Sequence, residues 1–322
     1  MQVKDRIWGD FNIIENILID LIKHPELLRL DKISQFGLPY RYYPIKQFTR
    51  LEHSIGVMVL LRDLGAGLEE QVAGLLHDVS HTSFSHLVDW VIGDRKNEDF
   101  QDKRHINFLR KSSLNNILKE HNLDVDKIAN YDRFSLLEQP RPYLCADRID
   151  YAIREFKDWA NPQIVESCSS QLVNHKGRIV FSSEEGALKF SYNYMKLQRE
   201  HWGGAEWILR WQIFSEVLRY ALDKEILQKE NFFRDDQFVL DILEASSDEE
   251  ILKRLFLLEN KLNFKIDDKK PAYVLHKKFR YIDPSYLDGD RELRLSENNK
   301  EYSTFLERER EHNKNGHKIS LT

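Results

Sequence analysis

Val72-Ala73-Gly74-Leu75-Leu76-His77-Asp78-Val79-Ser80-His81-Thr82-Ser83-Phe84-Ser85-His86 is the stretch that decides the fold. Its first five residues are apolar or small. They predict a buried helix over Glu69–His77, which delivers an imidazole and a carboxylate side by side at its end. The hydroxyl-rich run Ser80–Ser85 then favours a turn over helix interior, because those side chains compete for backbone hydrogen bonds. One imidazole and one carboxylate suit a borderline metal ion such as Mn, Fe, Co, Ni or Zn, but two ligands do not complete a site. Two further candidates are His53, on the preceding helix, and Asp147, inside Tyr143-Leu144-Cys145-Ala146-Asp147-Arg148-Ile149-Asp150-Tyr151. A carboxylate among apolar neighbours needs a cation or strong donors.

Outward from this centre the sequence predicts mainly helix. Ile13, Ile14, Ile17, Leu18, Leu21 and Ile22 recur at helical spacing over Asp10–Lys23, and Pro25 fits the first turn of the next helix. A helix over Leu51–Leu64 is closed by Gly65 and Gly67. Others are expected at His86–Ile92, Phe100–Lys111, Ser113–His121, Arg141–Trp159, Trp207–Leu222 and Asp248–Leu258. The period changes at Leu172–Phe181, which predicts a β-hairpin turning at Lys176-Gly177. Ser182 and Glu185 have the form of a capping box for the helix after it. Tyr273–Leu275 and Phe279–Ile282 are short strand candidates, and the tail from Glu307 is expected to be loosely ordered. The expected organisation is a helical core over residues 1–165, continued by residues 166–322 with the hairpin and a small C-terminal α+β part.

Composition narrows the function class. Of 322 residues, 41% are hydrophobic and 11% aromatic, enough for a core and against general disorder. Only 13 glycines and 8 prolines interrupt the helices. The strongest apolar run, near Val57–Leu61, is far short of the ~20 residues that span a bilayer. A net charge of −5 is that of neither a nucleic-acid coat nor a basic membrane binder, so a nucleic-acid partner is not favoured. Two cysteines, Cys145 and Cys168, make no disulfide framework, and an intracellular, cytoplasmic setting is expected. Cys145 reads as a small core residue, and Trp202, Trp207 and Trp211 as core or interface before base-stacking platform. The runs Asp235-Asp236 and Lys277-Lys278 read as solvated surface.

The order His53 … His77-Asp78 … Asp147 resembles the four-ligand signature of the HD-domain phosphohydrolase superfamily. More specifically, five segments resemble the opening of deoxynucleotide triphosphohydrolases of the SAM-and-HD-domain type. They are Ile7-Trp8-Gly9, Pro25–Leu30, Gln35-Phe36-Gly37, Tyr43-Pro44 and Thr49-Arg50-Leu51-Glu52-His53-Ser54-Ile55-Gly56-Val57. His77–His86 and Asp147-Arg148-Ile149-Asp150-Tyr151 continue the pattern. The likeness covers residues 5–160 and includes no SAM domain.

That resemblance implies a mainly α HD-domain fold and one divalent metal ion (Mn, Fe, Co, Ni, Zn or Mg) on His53, His77, Asp78 and Asp147. It implies His81 and His105 as catalytic histidines and His86 as their support. Arg50 would hold a substrate phosphate, Arg148 and Tyr151 would face phosphate and sugar, and Gln35 would meet the sugar 3′-hydroxyl. Phe36 is bulkier than the aliphatic residue usual there and would exclude a 2′-hydroxyl. The implied activity is hydrolysis of a dNTP to deoxynucleoside and triphosphate, by a homo-oligomer. Alternatives are hydrolysis of another phosphate ester (a nucleoside monophosphate or cyclic nucleotide) and a nucleotide- or nucleic-acid-binding module with weak catalysis. The residues near Lys23, Leu28 and Asp31 depart from the family's guanine-nucleotide site, so activation by GTP is not implied. Arg199 and Arg210 are the candidates for a later phosphate-binding arginine.

Overall fold

A computed structural model describes residues 1–322 except Pro44, Ala160 and Asn161. Pro44 belongs to the Tyr43-Pro44 motif and lies outside the described residues. The chain is mainly helical, with small sheets in its C-terminal half.

Three helices carry the ligand candidates. Arg50–Asp63 opens on a capping box in which Thr49 accepts from the Glu52 amide at 3.2 Å and Glu52 accepts from the Thr49 amide at 2.9 Å. Leu68–Leu76 packs against it through Gly74, where an added Cβ would lie 2.4 Å from Leu61 Cδ1. A larger residue there would have to displace the Leu61 side chain. Ala146–Trp159 completes the trio, starting later than the expected Arg141 because residues 141–145 form the loop leading to it. Expected helix over His86–Ile92 is instead a tight 3₁₀ turn, Ser85–Trp90, after Phe84 and Ser85 in left-handed backbone (φ 59° and 50°).

The N-terminus departs from expectation. Gln2–Asp5 pairs antiparallel with Gly9–Asn12, and helix begins only at Asn16. Asp5 causes this, since its Oδ1 accepts from the amides of Ile7 and Trp8 at 2.7 and 2.9 Å and locks a turn that Gly9 (φ 80°) closes. The hairpin Leu172–His175/Arg178–Phe181 forms with its turn at Lys176-Gly177, as the pattern predicts. The following helix, Glu184–Leu197, is capped by Ser183 rather than Ser182, through the Gly186 amide.

Phe279–Ile282 is no strand. The Phe279 carbonyl accepts from Arg141, and the Arg280 amide donates to Gln198 Oε1, so their backbone groups are taken by side chains. The strands are Ser285–Asp288 and Arg291–Arg294, joined to the hairpin by Phe181 beside Tyr286. Tyr273–Leu275 is a strand, as expected. The tail is ordered: Lys300–Asn315 is a helix that buries Tyr302, Leu306 and Glu309, and His317–Leu321 lies between Phe264–Ile266 and Tyr273–Leu275. The helical period there is masked in the sequence by charged residues on its outer face.

Two apolar cores hold the fold. One joins the helices between Ile13 and Trp202 to Ile282, Tyr286, Leu295 and Tyr302. The other gathers Phe36, Tyr42, Phe48, Phe84 and Trp90 around the helix Ala205–Asp223. Among the described residues no helix is long and apolar enough to cross a membrane.

Between the cores lies Arg154, fully buried, donating to Asp150 at 2.7 Å and Asp5 at 2.6 Å. Gly56 faces this pair, and a Cβ there would fall 2.0 Å from Arg154 Nη2 and 2.2 Å from Asp150 Oδ1. Gly56→Ala should therefore destabilise the protein by about 3 kcal/mol or more, the cost of disrupting a buried ion pair. Chemical denaturation reads this, and a loss below ~1 kcal/mol would mean that Arg154 can move aside.

Candidate metal centre and its cavity

His53, with no exposed surface, meets His77 Nε2 to Nε2 at 3.3 Å and Asp147 Oδ1 at 2.9 Å. His77 Nε2 is 3.5 Å from both Asp147 Oδ1 and Asp78 Oδ1, and Asp78 Oδ2 is 3.9 Å from His53 Nε2. The ligand atoms of His53, His77 and Asp147 thus lie within 4.8 Å of one another, and Asp78 reaches both imidazoles from the side where Arg50 holds it. The other imidazole nitrogens are occupied: His53 Nδ1 pairs with Asp150 Oδ2 at 2.7 Å and His77 Nδ1 with the Gly74 carbonyl at 2.7 Å. These partners assign the Nδ1–H tautomer to both rings, which leaves both Nε2 lone pairs facing each other and two carboxylates. Lone pairs and carboxylates so placed repel unless a cation sits among them, so the donor set fits a divalent ion. Without one, proton uptake has to compensate. Against the effect of burial, Asp78 and Asp147 pull the His77 imidazole up to about 9. A second grouping, Glu138, Cys145 and Asp147, is a poorer set, because burial pushes the Cys145 thiol far up and keeps it protonated.

Arg50, 2% exposed, donates to Asp78 Oδ2 at 2.5 Å and through Nε to Ser85 Oγ at 2.7 Å. Ser85 in turn donates to the Ser34 carbonyl, and Asp236 accepts from the amides of Ser34 (2.9 Å) and Phe84 (2.7 Å). Asp236 is therefore not solvated surface. It is buried, its carboxyl pushed up to about 7 by that burial, and it pins the two loops that hold Arg50.

The ligand set adjoins a cavity of about 340 Å³. Gln35, Phe36, Arg50, His81, His86, Arg148 and Tyr151 all line it. Gln35 Oε1 is buried with no hydrogen-bond partner among the described residues, whereas Phe36, 4% exposed, packs its ring on Phe48, His201 and Trp207. His81 Nε2 is 3.3 Å from Asp78 Oδ1, and its ring stands edge-on to His86, whose Nδ1 meets Asp89 at 3.3 Å. Burial and then Arg50 hold the His81 imidazole far below its ordinary range, hence neutral. Arg148 has both Nη groups engaged, by the Tyr143 and Gln139 carbonyls and Glu138, and Tyr151 shares a hydrogen bond with Tyr194 at 2.7 Å.

His105 stands apart: it is outside the cavity lining, 2% exposed, with Nδ1 3.0 Å from Ser80 Oγ and its ring against Tyr131. Burial, then His77, pushes it down to about 3. Arg199 pairs with Glu309, and Arg210 is tied to Glu206 and to the carbonyls of Tyr42, Leu258 and Asn260. Neither lines the cavity. Residues without a local signal do: Glu98, Asp102, Glu138, Arg141, Glu155, Lys277, Lys278 and Arg280. Lys277 is not solvated surface but buried, 2.5 Å from Glu98. Trp202, Trp207 and Trp211 are core residues that also form one wall.

Residues 50–155 match the HD domain family. The chain is 35% identical over 299 residues to the uncharacterized protein YdhJ of Bacillus subtilis, covering 92% of this chain and 91% of that one. It is 32% identical over 208 residues to the metal-dependent phosphohydrolase cns2 of Cordyceps militaris, covering 62% of this chain and 60% of that one. A shorter likeness, 38% over 88 residues, covers 23% of this chain and 14% of the deoxynucleoside triphosphate triphosphohydrolase SAMHD1 of Xenopus laevis. The crystal structure of a hypothetical protein from Aquifex aeolicus shares the fold, with a TM-score of 0.69 at 18% identity over 94% of this chain and 93% of that one.

Two measurements test the site. His77→Ala and Asp78→Ala should each lose the bound metal while keeping their helical circular dichroism. Chelation should then lower the unfolding midpoint of wild type but not of His77→Ala, a ligand at a hundredfold over its Kd contributing about 2.7 kcal/mol. Wild-type metal content in either variant would refute the ligand set. The second concerns Glu98, which Lys277 and Arg280 hold, against burial, far below its ordinary 4.5. The folded chain then binds fewer protons in acid than the unfolded one, so this stabilisation is complete above about pH 4.5 and is lost as pH falls. Glu98→Gln should lower stability by about 3 kcal/mol at pH 7 and flatten its decline between pH 5 and 3. An unchanged acid limb would refute this.

Proposed function

Because the chain belongs to the HD-domain superfamily of metal-dependent phosphohydrolases, we propose that its cavity hydrolyses a nucleotide, with a dNTP cleaved to deoxynucleoside and triphosphate as the leading reaction. One observation carries this reading: the ligand set opens on a cavity that joins arginines to an aromatic wall of Tyr151, Trp202, Trp207 and Trp211. Phosphates suit the first surface and a base the second. The short likeness to a triphosphohydrolase supports the leaving group.

His53, His77, Asp78 and Asp147 would hold a divalent ion, which would supply Lewis-acid charge and make a neighbouring water more acidic. The remaining roles belong to the chain. Arg50, braced by Asp78 and Ser85, offers its remaining Nη2 to a phosphate oxygen. His81, neutral in the free protein, takes up a proton when substrate phosphate adds negative charge beside it, and gives that proton to the leaving oxygen. His105, one layer behind, acts through Ser80 on the turn that carries His81. Arg148 contributes field more than contact. Gln35 Oε1, unpartnered, accepts from the 3′-hydroxyl, and Phe36 closes the space where a 2′-hydroxyl would need a partner.

A second reading, hydrolysis of a single phosphate ester, is favoured by the extent of likeness: 62% of the chain for the relative named a metal-dependent phosphohydrolase, against 23% for the triphosphohydrolase. Assay of the protein with Mn²⁺, scoring nucleoside, phosphate and triphosphate separately, decides between them. Triphosphate release from dGTP at higher kcat/KM than from GTP, by roughly ten- to a hundredfold, is the expected result. Release of orthophosphate alone would overturn it for the second reading. His81→Ala should lower turnover by ~10²–10⁴ with metal retained, and unchanged turnover would remove His81 from the mechanism.

A further inference from the structure

We infer that Arg141, Lys278 and Arg280 form an anion subsite in this cavity, separate from the metal ligands, that takes a short polyphosphate chain. Arg141 precedes the Asp147 helix, and the other two sit on the irregular segment 276–284; all three line the cavity. The two stretches are joined where Arg141 Nη1 donates to the Phe279 carbonyl at 2.9 Å. From the opposite side the loop 94–98 grips the same segment. Lys278 Nζ donates to the Asn97 carbonyl at 2.5 Å, and Glu98 receives Lys277 at 2.5 Å and Arg280 at 2.7 Å. Glu98 holds left-handed backbone, with φ 52°, to do so.

The charges do not balance. Four cations, Arg141, Lys277, Lys278 and Arg280, crowd one wall, and Glu98 alone pairs with two of them. Arg141 and Lys278 make no ion pair among the described residues. Asp102 lines the cavity without an ion pair among those residues, and Glu138 is engaged by Arg148. Lys277 is further committed, its ammonium 3.6 Å from the centre of the Trp211 ring. Counting Asp102, which attracts Lys278, together with Glu98, four cations face two carboxylates, an excess of about two positive charges in a partly dehydrated wall. Burial, then Arg280, weakens the hold of Arg141 and Lys278 on their protons, and at Lys278 the attraction of Glu98 and Asp102 offsets this only in part. Forked guanidinium and ammonium donors suit phosphate oxygens, and several adjacent cations suit several linked phosphates.

That this chain of phosphates is a nucleotide's tail rests on the function proposed above; the anion subsite itself does not. The test is calorimetric titration of inorganic tripolyphosphate into metal-loaded protein freed of excess metal. Wild type, Lys278→Gln, Arg141→Gln and the double variant are compared, with the exposed Lys253→Gln as a control for net charge. Each single variant should weaken binding about tenfold and the double about a hundredfold, with the control unchanged. Lys278→Arg should keep wild-type affinity. If Arg141→Gln fails to fold, Lys278→Gln decides alone, since it gives up one hydrogen bond to a surface carbonyl. Equal affinity in wild type and Lys278→Gln would overturn the subsite. Kinetics separates the two readings. Triphosphates hydrolysed with unchanged KM in the double variant would sink the subsite and spare the function. Weakened tripolyphosphate binding in a protein that hydrolyses no nucleoside triphosphate would do the reverse.

Discussion

A fully buried histidine between two carboxylates is the constraint on which the structure depends. His53 touches Asp147 on one nitrogen and Asp150 on the other. The burial that isolates this site from water makes each unpaired charge costly, so each carboxylate needs its own cation. Asp150 finds Arg154, Arg154 finds Asp5, and Trp8 Nε1 donates to Asp150 at 2.6 Å. An ordering requirement on one imidazole thereby reaches the first hairpin of the chain and explains why residues 1–12 are folded back against the helix that carries Asp147. On the other side, Asp78 is met by Arg50, which is steered by Ser85, Ser34 and finally Asp236. The ligands come from a short stretch of helices; their supports come from distant parts of the chain.

The cavity follows the same logic at larger scale. Its metal side is built by residues 50–148, its aromatic wall by the turn at Trp202 and the helix that follows, and its cationic wall by a segment that has no regular structure of its own. Irregular backbone is tolerated there because side chains satisfy it: Arg141 takes the Phe279 carbonyl and Gln198 the Arg280 amide. The same groups that cost the segment its place in a sheet fix where its lysines and arginine point.

What was legible in the sequence divides along these lines. His77-Asp78 stands out because it ends an apolar run, and Asp147 because it is a charge among apolar residues; both signals are local, but grouping them with His53 as one ligand set rests on the family resemblance, since spacing alone does not join them. The hairpin at Lys176-Gly177 was legible for the same reason. Glu98, Lys277 and Arg280 were not, since their ion pairs join positions about 180 residues apart and each residue alone looks like solvated surface. Asp236 failed as a surface residue because its partners are backbone amides, which leave no pattern in side-chain types. His105 was read from a motif that specifies residue order but not depth, and the structure sets it behind Ser80 instead of inside the cavity. The tail helix was hidden by its charges, although Tyr302 and Leu306 carry its buried face.

The placement of His317–Leu321 between two earlier strands bears on how the protein is made. Phe264–Ile266 and Tyr273–Leu275 do not pair with each other; each pairs with a strand that the ribosome delivers only after the helix Lys300–Asn315. Until that strand arrives, the residues just before Lys277 have no sheet to hold them, and the cationic wall of the cavity has no anchor on that side. The helices bearing His53, His77 and Asp147 are synthesised well before this, but the core they pack in also takes Ile282, Tyr286, Leu295 and Tyr302 from the late part of the chain. The cationic wall of the cavity is therefore completed only when the central strand of that small sheet is made, after every other element that lines the cavity.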